Sequence, residues 1–174
     1  MLLKNRYQYD PKTDLLTEGK NARIYKALDT QNNSAVVIKF YHSLAQNPVS
    51  FKENMEKLSQ LEHPNLVKMF DYFEIENINP FGDVNHIRVG VWEHLAEKEW
   101  IPEELNDNES EQVVRDILSA VQYLHANNCY NSNLSRKNIV VLDKNKVKLN
   151  NYGIDNHNNE FYKAPEFFDE NASK

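Results

Sequence analysis

The chain has 174 residues, a length that suits a single domain with its own core. Its 20 Lys and Arg against 26 Asp and Glu give a formal net charge of −6, which argues against nucleic acids and anionic membranes as general partners. A single cysteine, Cys129, excludes an internal disulfide framework, and no apolar run reaches the roughly 18 residues of a membrane span. With no secretory signal at its start, the sequence predicts a cytoplasmic protein.

The first forty residues predict three strands. Residues 14–28 are typical of two strands around a turn at residues 19–21, where the sequence reads Gly-Lys-Asn. Residues 34–41, SAVVIKFY, are rich in β-branched side chains, which predicts a central strand.

One helix and a second pair of strands follow. In residues 49–61, apolar side chains recur at intervals of three and four, which predicts an amphipathic helix that ends before His63-Pro64. Residues 66–76 and 86–95 predict two further strands joined by a loop. The sequence therefore predicts five strands, with one helix after the third.

The second half begins with a helix. Residues 110–127 carry an apolar stripe at helical spacing, with Asn108 or Ser110 as the expected N-cap. Residues 139–142 and 146–149 predict two short strands of a hairpin. Because strands dominate before the helix-led segment, the pattern predicts an α+β arrangement in two lobes.

Four local sequences occur along these elements. They are TEGKNARIYKA at residues 17–27, VVIK ending at Lys39, NSNLSRKNIVV at residues 131–141, and VKLNNYG at residues 147–153, which is followed by YKAPE at residues 162–166. Their order and spacing resemble the eukaryotic-type protein kinase family over about residues 7–168. The resemblance implies a kinase-like α+β fold: an N-lobe in residues 1–95, with a five-stranded antiparallel sheet and one helix, and an incomplete helical C-lobe in residues 96–174.

The resemblance places part of a nucleotide site in the N-lobe. Of the three glycines in the family's phosphate-covering loop, only Gly19 remains, and taken alone it is more typical of a simple hairpin turn. Lys39 matches the lysine that contacts the nucleotide phosphates, although a lysine there could also simply extend to water. The glutamate that pairs with this lysine in the family falls on Asn54, and Glu53 is one helical position away.

The same resemblance implies that the catalytic residues are missing. Asn133 occupies the position of the catalytic base, and an amide cannot take up a proton from a substrate hydroxyl. Ser135 stands in place of a lysine that contacts phosphate. The metal positions fall on Asn138 and Asn151, and a neutral amide is a poorer Mg²⁺ ligand than a carboxylate. We therefore expect no catalytic residue at Asn133, Ser135 or Asn54, and weak or absent metal binding.

The implied adenine pocket is crowded. By resemblance it is lined by Ile24, Val37 and Val140, with contacts from the backbone of Glu93 and Leu95. Val37 is larger than the alanine usual in the family, and Trp92 falls at the back of the pocket. These side chains can equally be read as core residues, and both interpretations predict no cofactor or only weak ATP binding.

Three interpretations of function remain open. The leading one is a catalytically inactive kinase-like domain, a pseudokinase, that acts as a protein-binding or regulatory scaffold. The second is an atypical serine/threonine kinase or ATP-binding sensor with weak, metal-poor activity. The third is a mixed α+β domain unrelated to kinases. Because only eight residues follow Glu166, part of the apolar stripe at 110–127 is left without a predicted cover. This predicts a truncated chain, a partner protein or domain, or self-association.

Overall fold

A computed structural model of the chain describes residues 1–19, 21–42, 48–78, 84–95, 105–129, 134–143 and 146–153. It divides into two compact units. The first comprises Met1–Glu62 and Lys68–His94, and the second comprises His63–Val67 and Leu95–Lys174.

The first unit is an antiparallel sheet with one helix. Its elements are β1 (Leu2–Leu3), β2 (Tyr7–Gln8), β3 (Leu15–Glu18), β4 (Ala22–Asp29), β5 (Ser34–Tyr41), α1 (Pro48–Leu58), β6 (Met69–Ile78) and β7 (Val84–Glu93). The strand order is β1-β2-β4-β5-β7-β6, and β3 pairs with the first half of β4. The five predicted strands and the helix are present, and the structure adds the two short strands β1 and β2.

The core of this unit lies on one face of a curled sheet. Val36 and Ile38 of β5 point into it beside Val89 of β7, and all three are buried. Tyr7 of β2 and Phe73 of β6 stack there with ring centroids 6.2 Å apart and rings nearly parallel. Because β2 and β6 are separated by three strands in the sheet order, this contact requires the sheet to curl back on itself.

Polar contacts join the same two ends of the sheet. Lys4 Nζ lies 3.0 Å from Asp71 Oδ2 and 4.7 Å from the centroid of the Phe73 ring. The Tyr7 hydroxyl donates a hydrogen bond of 3.2 Å to Asp71, and burial raises the pKa of Tyr7 to about 12, so the hydroxyl keeps its proton. We call these four residues, Lys4, Tyr7, Asp71 and Phe73, the clasp.

A buried ion pair fixes the β2–β4 pairing. Arg6 Nε and Nη2 donate to the two carboxylate oxygens of Asp29 at 2.8 and 2.6 Å. Asp29 is 2% exposed and also accepts from the backbone N–H of Gln31 at 3.1 Å. The Arg6 guanidinium lowers the pKa of Asp29 despite the opposing effect of burial. Asp29 lies directly opposite Tyr7, so the ion pair stabilises the point where the N-terminal hairpin joins the sheet.

Helix α1 covers the other face of the sheet. Its buried side chains are Phe51, Met55 and Leu58, spaced by four and three residues as the sequence predicts. The Phe51 ring meets Tyr41 of β5 edge-on at 5.3 Å and lies 6.3 Å from Tyr72 of β6. These contacts hold the helix over β5, the strand that carries Lys39.

The second unit contains α2 (Asp107–Ala126) and a hairpin of β8 (Ile139–Asp143) and β9 (Lys146–Leu149). Its core forms from Val113 of α2, Val141 of β8 and Val147 of β9. None of the helices in the described ranges is long and apolar enough to cross a membrane.

The N-cap of α2 differs from the prediction. Asn106, rather than Asn108 or Ser110, caps the helix: its side-chain oxygen accepts from the backbone N–H of Glu109 at 3.0 Å. The Glu109 carboxylate accepts in return from the backbone N–H of Asn106, also at 3.0 Å. This reciprocal pair satisfies two backbone donors at once. Ser110 is followed at the third position by the apolar Val113, and the Glu111 that follows Asn108 accepts hydrogen bonds from Arg115 instead.

The segment His63–Val67 adds to the hairpin of the second unit. Leu66 bridges to Leu149 in parallel, and the backbone N–H of Leu149 donates to the carbonyl of Asn65 at 2.8 Å. His63 Nδ1 accepts from the backbone N–H of Asn65 at 3.1 Å, and its Nε2 lies 3.2 Å from the Ser119 hydroxyl. Burial lowers the pKa of His63, which favours the neutral ring that this geometry requires.

Candidate functional site

Lys39 lies at the centre of the sheet in the first unit. It is opposite Gly90 on β7 and Ile24 on β4, and it is only 5% exposed. Its Nζ lies 4.7 Å from the centroid of the Trp92 ring. An ammonium over an indole face is attracted by the negative charge of the ring face, and the attraction is strongest where water is excluded. The structure therefore gives the buried charge of Lys39 an aromatic partner.

Trp92 is held firmly in this position. It is fully buried, and its Nε1 donates a hydrogen bond of 3.1 Å to the hydroxyl of Tyr41. Gly90 makes this arrangement possible: a Cβ built on it would lie 2.8 Å from Trp92 Nε1 and 3.2 Å from the Tyr41 hydroxyl oxygen. Trp92 is among the residues predicted from the sequence because of its size, whereas Gly90 is not among them. A lone glycine within an apolar strand was the signal for a close approach.

Replacing Gly90 by alanine is expected to lower the free energy of unfolding by about 1–2 kcal/mol, because the new methyl group must push Trp92 or Tyr41 from its place. Urea unfolding measures the change. Gly19→Ala is the matched control, because the nearest described atom to its Cβ is the carbonyl oxygen of Ala22 at 3.9 Å. Equal effects of the two substitutions would show that Trp92 and Tyr41 are not packed against Gly90.

The other residues predicted to form the nucleotide site in the first unit are carried by β4, β5, β7 and α1. Ile24 and Val37 are half-buried on the same face of the sheet, and Val37 is directly opposite Trp92. On α1, Asn54 is half-buried and Glu53 is exposed. The backbone N–H of Glu93 donates to the carbonyl of Lys68 at 2.8 Å. The predicted side chains of the first unit are thus gathered on the strands and helix that surround Lys39.

The two residues predicted at the metal positions, Asn138 and Asn151, are joined by a hydrogen bond in the second unit. Asn138 ends a single 3-10 turn, Arg136–Asn138, that follows Ser135, and both Ser135 and Asn138 are buried. Asn151 Nδ2 donates to Asn138 Oδ1 at 2.9 Å, and Asn138 Nδ2 donates to Ser135 Oγ at 3.2 Å. We call Ser135, Asn138 and Asn151 the amide chain.

Two backbone features support the amide chain. Asn151 has a φ of 52°, in the left-handed region that asparagine tolerates better than most residues. The backbone N–H of Asn150 donates to the carbonyl of Asn138 at 2.7 Å. Next to Asn151, the fully buried Tyr152 donates its hydroxyl proton to the carbonyl of Val67 at 2.7 Å.

The remaining predicted positions of the second unit lie outside the amide chain. Val140 is buried on β8, and Leu95 is half-buried. Asn133 and residues 162–166 lie outside the described residues.

Comparison with known proteins decides the family. Residues 11–171 match the protein kinase domain family. The chain belongs to this family. The resemblance stated from the four local sequences is therefore confirmed, and so is the kinase-like fold with an antiparallel N-lobe sheet.

Several curated kinases are similar to the chain. It is 27% identical over 145 residues to serine/threonine-protein kinase TIO of Arabidopsis thaliana, covering 81% of this chain and 10% of that protein. It is 28% identical over 155 residues to probable serine/threonine-protein kinase mkcB of Dictyostelium discoideum, covering 88% and 21%. It is 26% identical over 166 residues to phosphorylase b kinase gamma catalytic chain, liver/testis isoform, of Homo sapiens, covering 88% and 39%. The chain spans at most 39% of the length of these three relatives.

Protein kinases usually bind ATP with a metal ion, so the metal positions can be tested for fit. Mg²⁺ requires oxygen ligands and is usually held by at least one carboxylate. Asn138 and Asn151 supply two neutral amides, and Asn151 presents its Nδ2 donor to the Asn138 oxygen. A donor nitrogen cannot coordinate a cation, so this pair, as arranged, does not fit Mg²⁺. The described residues also contain no cluster of three or more His, Cys, Asp or Glu side chains.

Proposed function

We propose that this kinase-family chain is a catalytically inactive domain, a pseudokinase, that acts by binding a protein partner. The observation that carries the proposal is the contact between Lys39 and Trp92. In active kinases the lysine at this position pairs with nucleotide phosphates and with a helix glutamate. Here the ammonium lies on a buried indole, and the corresponding helix position is the neutral Asn54.

Trp92 also fills space next to Val37, the adenine-side position on β5. The side chains of both residues are larger than those that favour nucleotide binding at these positions. Trp92 cannot move without breaking its hydrogen bond to Tyr41 and its contact with Lys39. A nucleotide would have to compete with these contacts for Lys39. We infer that ATP binding is weak or absent.

The chemistry of the other positions supports the same proposal. Phosphoryl transfer in kinases rests on positioning and on the charge of bound metal ions. Asn133 lacks the basicity of an aspartate, and a positioned base typically contributes about 10²–10⁴-fold to a rate. Asn138 and Asn151 bond to each other at the metal positions.

Two exposed apolar side chains support the protein-binding part of the proposal. Val114 and Leu118 are 54% and 61% exposed. They are four residues apart on α2 and therefore lie on the same face of the helix. Exposed apolar groups that lie together favour contact with another protein surface.

Thermal unfolding of the chain with millimolar ATP, with Mg²⁺ or with a chelator, tests the proposal. We expect no shift of Tm under any condition. A bound ligand at 100 times its Kd would add about 2.7 kcal/mol of stability, which corresponds to roughly 5–10 °C for a chain of this size. The control variant is Lys39→Ala, and a phosphate-transfer assay on a generic protein substrate runs in parallel. A Tm increase that disappears in Lys39→Ala would instead support the ATP-binding sensor, and measurable transfer would support an atypical kinase.

A further inference from the structure

We propose that the amide chain holds residues 150–153 in place without a divalent cation. In this arrangement the hydrogen bond between Asn151 and Asn138 performs the bridging that a metal ion would otherwise provide. The inference goes beyond the proposed function, because it concerns how one segment of the second unit keeps its conformation, whether or not nucleotide binds.

The two hydrogen bonds of the amide chain run in one direction, from Asn151 to Asn138 and from Asn138 to Ser135. An asparagine side chain both donates and accepts, whereas an ionised aspartate only accepts. Asn151 uses its nitrogen to donate to the Asn138 oxygen, and Asn138 then uses its own nitrogen to donate to Ser135. An aspartate at position 151 could only accept a hydrogen bond from Asn138, which requires the Asn138 amide to turn over and the Ser135 hydroxyl to donate instead of accepting. Asparagine at position 151 keeps the observed direction of both hydrogen bonds and places no charge beside the buried Asn138.

Burial makes these hydrogen bonds effective. Asn138 is 7% exposed and Ser135 is 4% exposed, so water competes little for their polar groups. A buried polar group that loses its partner is costly, which favours one arrangement over alternatives. The amide chain therefore selects a single conformation of the segment.

The segment is also tied down on both sides of Asn151. The backbone N–H of Asn150 donates to the Asn138 carbonyl at 2.7 Å, and the backbone N–H of Asn151 donates to the side-chain oxygen of Asn150 at 2.8 Å. On the other side, Tyr152 is fully buried and bonded to the Val67 carbonyl. These contacts hold Asn151 at its positive φ, with its amide directed at Asn138.

Hydrogen exchange of the backbone amides of residues 150–153, in nucleotide-free protein with Mg²⁺ or with chelator, tests the inference. In the unmodified chain we expect the same slow exchange in both conditions. Asn151→Asp preserves the shape and tolerates the positive φ, but replaces the donor by an oxygen. In chelator we expect it to exchange about tenfold faster, because a charged carboxylate replaces the donor beside buried polar groups, and millimolar Mg²⁺ should slow the exchange again by neutralising that charge.

Two further variants complete the experiment. Asn77→Asp makes the same chemical change at an exposed position of β6 and should behave as the unmodified chain. Asn151→Gly removes the donor without strain at positive φ, and it should exchange about tenfold faster with and without Mg²⁺. Slower exchange of the unmodified chain on addition of Mg²⁺ would overturn the inference, as would Asn151→Gly exchanging at the unmodified rate. Because no nucleotide is present, neither result depends on the ATP experiment.

Discussion

Replacing Trp92 by alanine is expected to lower the free energy of unfolding by about 3–5 kcal/mol, the range typical of removing a large aromatic side chain from a core. Trp92 is fully buried, its Nε1 donates to Tyr41, and its ring lies under the ammonium of Lys39. The substitution therefore leaves a cavity, removes the hydrogen bond to the Tyr41 hydroxyl and takes the aromatic contact away from the buried charge of Lys39. Urea unfolding at pH 7, followed by circular dichroism, measures the loss.

Two other substitutions separate these contributions. Trp92→Phe keeps most of the volume and removes the hydrogen bond to Tyr41, so it should cost about 1 kcal/mol beyond small packing changes. Phe70→Ala removes an aromatic side chain that is 47% exposed on β6, and it should cost less than Trp92→Ala by at least about 2 kcal/mol. If Trp92→Ala cost no more than Phe70→Ala, the indole would not be packed against Lys39 and Tyr41, and the proposed function would lose the contact that carries it.

The second large effect is expected at Asp29. Asp29→Ala removes both oxygens that accept from Arg6, and it also leaves the N–H of Gln31 without that acceptor. We expect the free energy of unfolding to fall by about 3 kcal/mol. This lies between the small effects of breaking exposed ion pairs and the largest effects of breaking fully buried ones, because the Arg6 side chain is 30% exposed. Glu18→Ala is the matched control, since Glu18 and Arg23 form an ion pair of 2.7 Å with both side chains about half exposed. If Asp29→Ala, like the control, lowered the free energy of unfolding by less than about 1 kcal/mol, this would contradict a stabilising role of the buried pair.

The same ion pair predicts the direction of acid destabilisation. The pKa of Asp29 in the folded chain is lowered below its ordinary value of 3.8, mainly by its hydrogen bonds from Arg6. The unfolded state therefore binds the proton more readily, and the stabilisation is complete above the ordinary pKa and is lost as the pH falls through the folded value. Asp29→Asn should be less stable than the unmodified chain at pH 7, and the difference should shrink below about pH 4. A difference that stays constant from pH 7 to pH 3 would exclude this origin.

Elements with a clear local pattern could be predicted from the sequence. The strand at residues 34–41 and the helix that buries Phe51, Met55 and Leu58 show their periodicity within a single segment. The strands β1 and β2 could not be predicted, because two residues are too few to show alternation. They are held by Tyr7 and Arg6 through contacts with distant parts of the chain.

In the candidate site, too, the sequence predicts what depends on local spacing but not the contacts between distant residues. The order and spacing of the motifs predict Lys39, Asn138 and Asn151 as the positions that correspond to the family's lysine and metal ligands, because this prediction uses only spacing along the chain. The contact of Lys39 with Trp92 depends on the register of β5 and β7, which places Lys39 opposite Gly90 and leaves room for the indole. The bond from Asn151 to Asn138 depends on how two amides orient. Neither of these two contacts can be predicted from the local sequence.

The clasp has a consequence for how the chain is made. Lys4 and Tyr7 bond to Asp71, a residue that is synthesised 67 and 64 positions later. During translation these contacts with β6 therefore form only after β6 has left the ribosome, whereas Arg6 can already pair with Asp29, which is 23 positions away. Closing contacts over the longer separation is slow compared with forming a helix or a hairpin. Until then Phe73 does not cover the Tyr7 ring, so part of this apolar surface is open to chaperones or to other nascent chains.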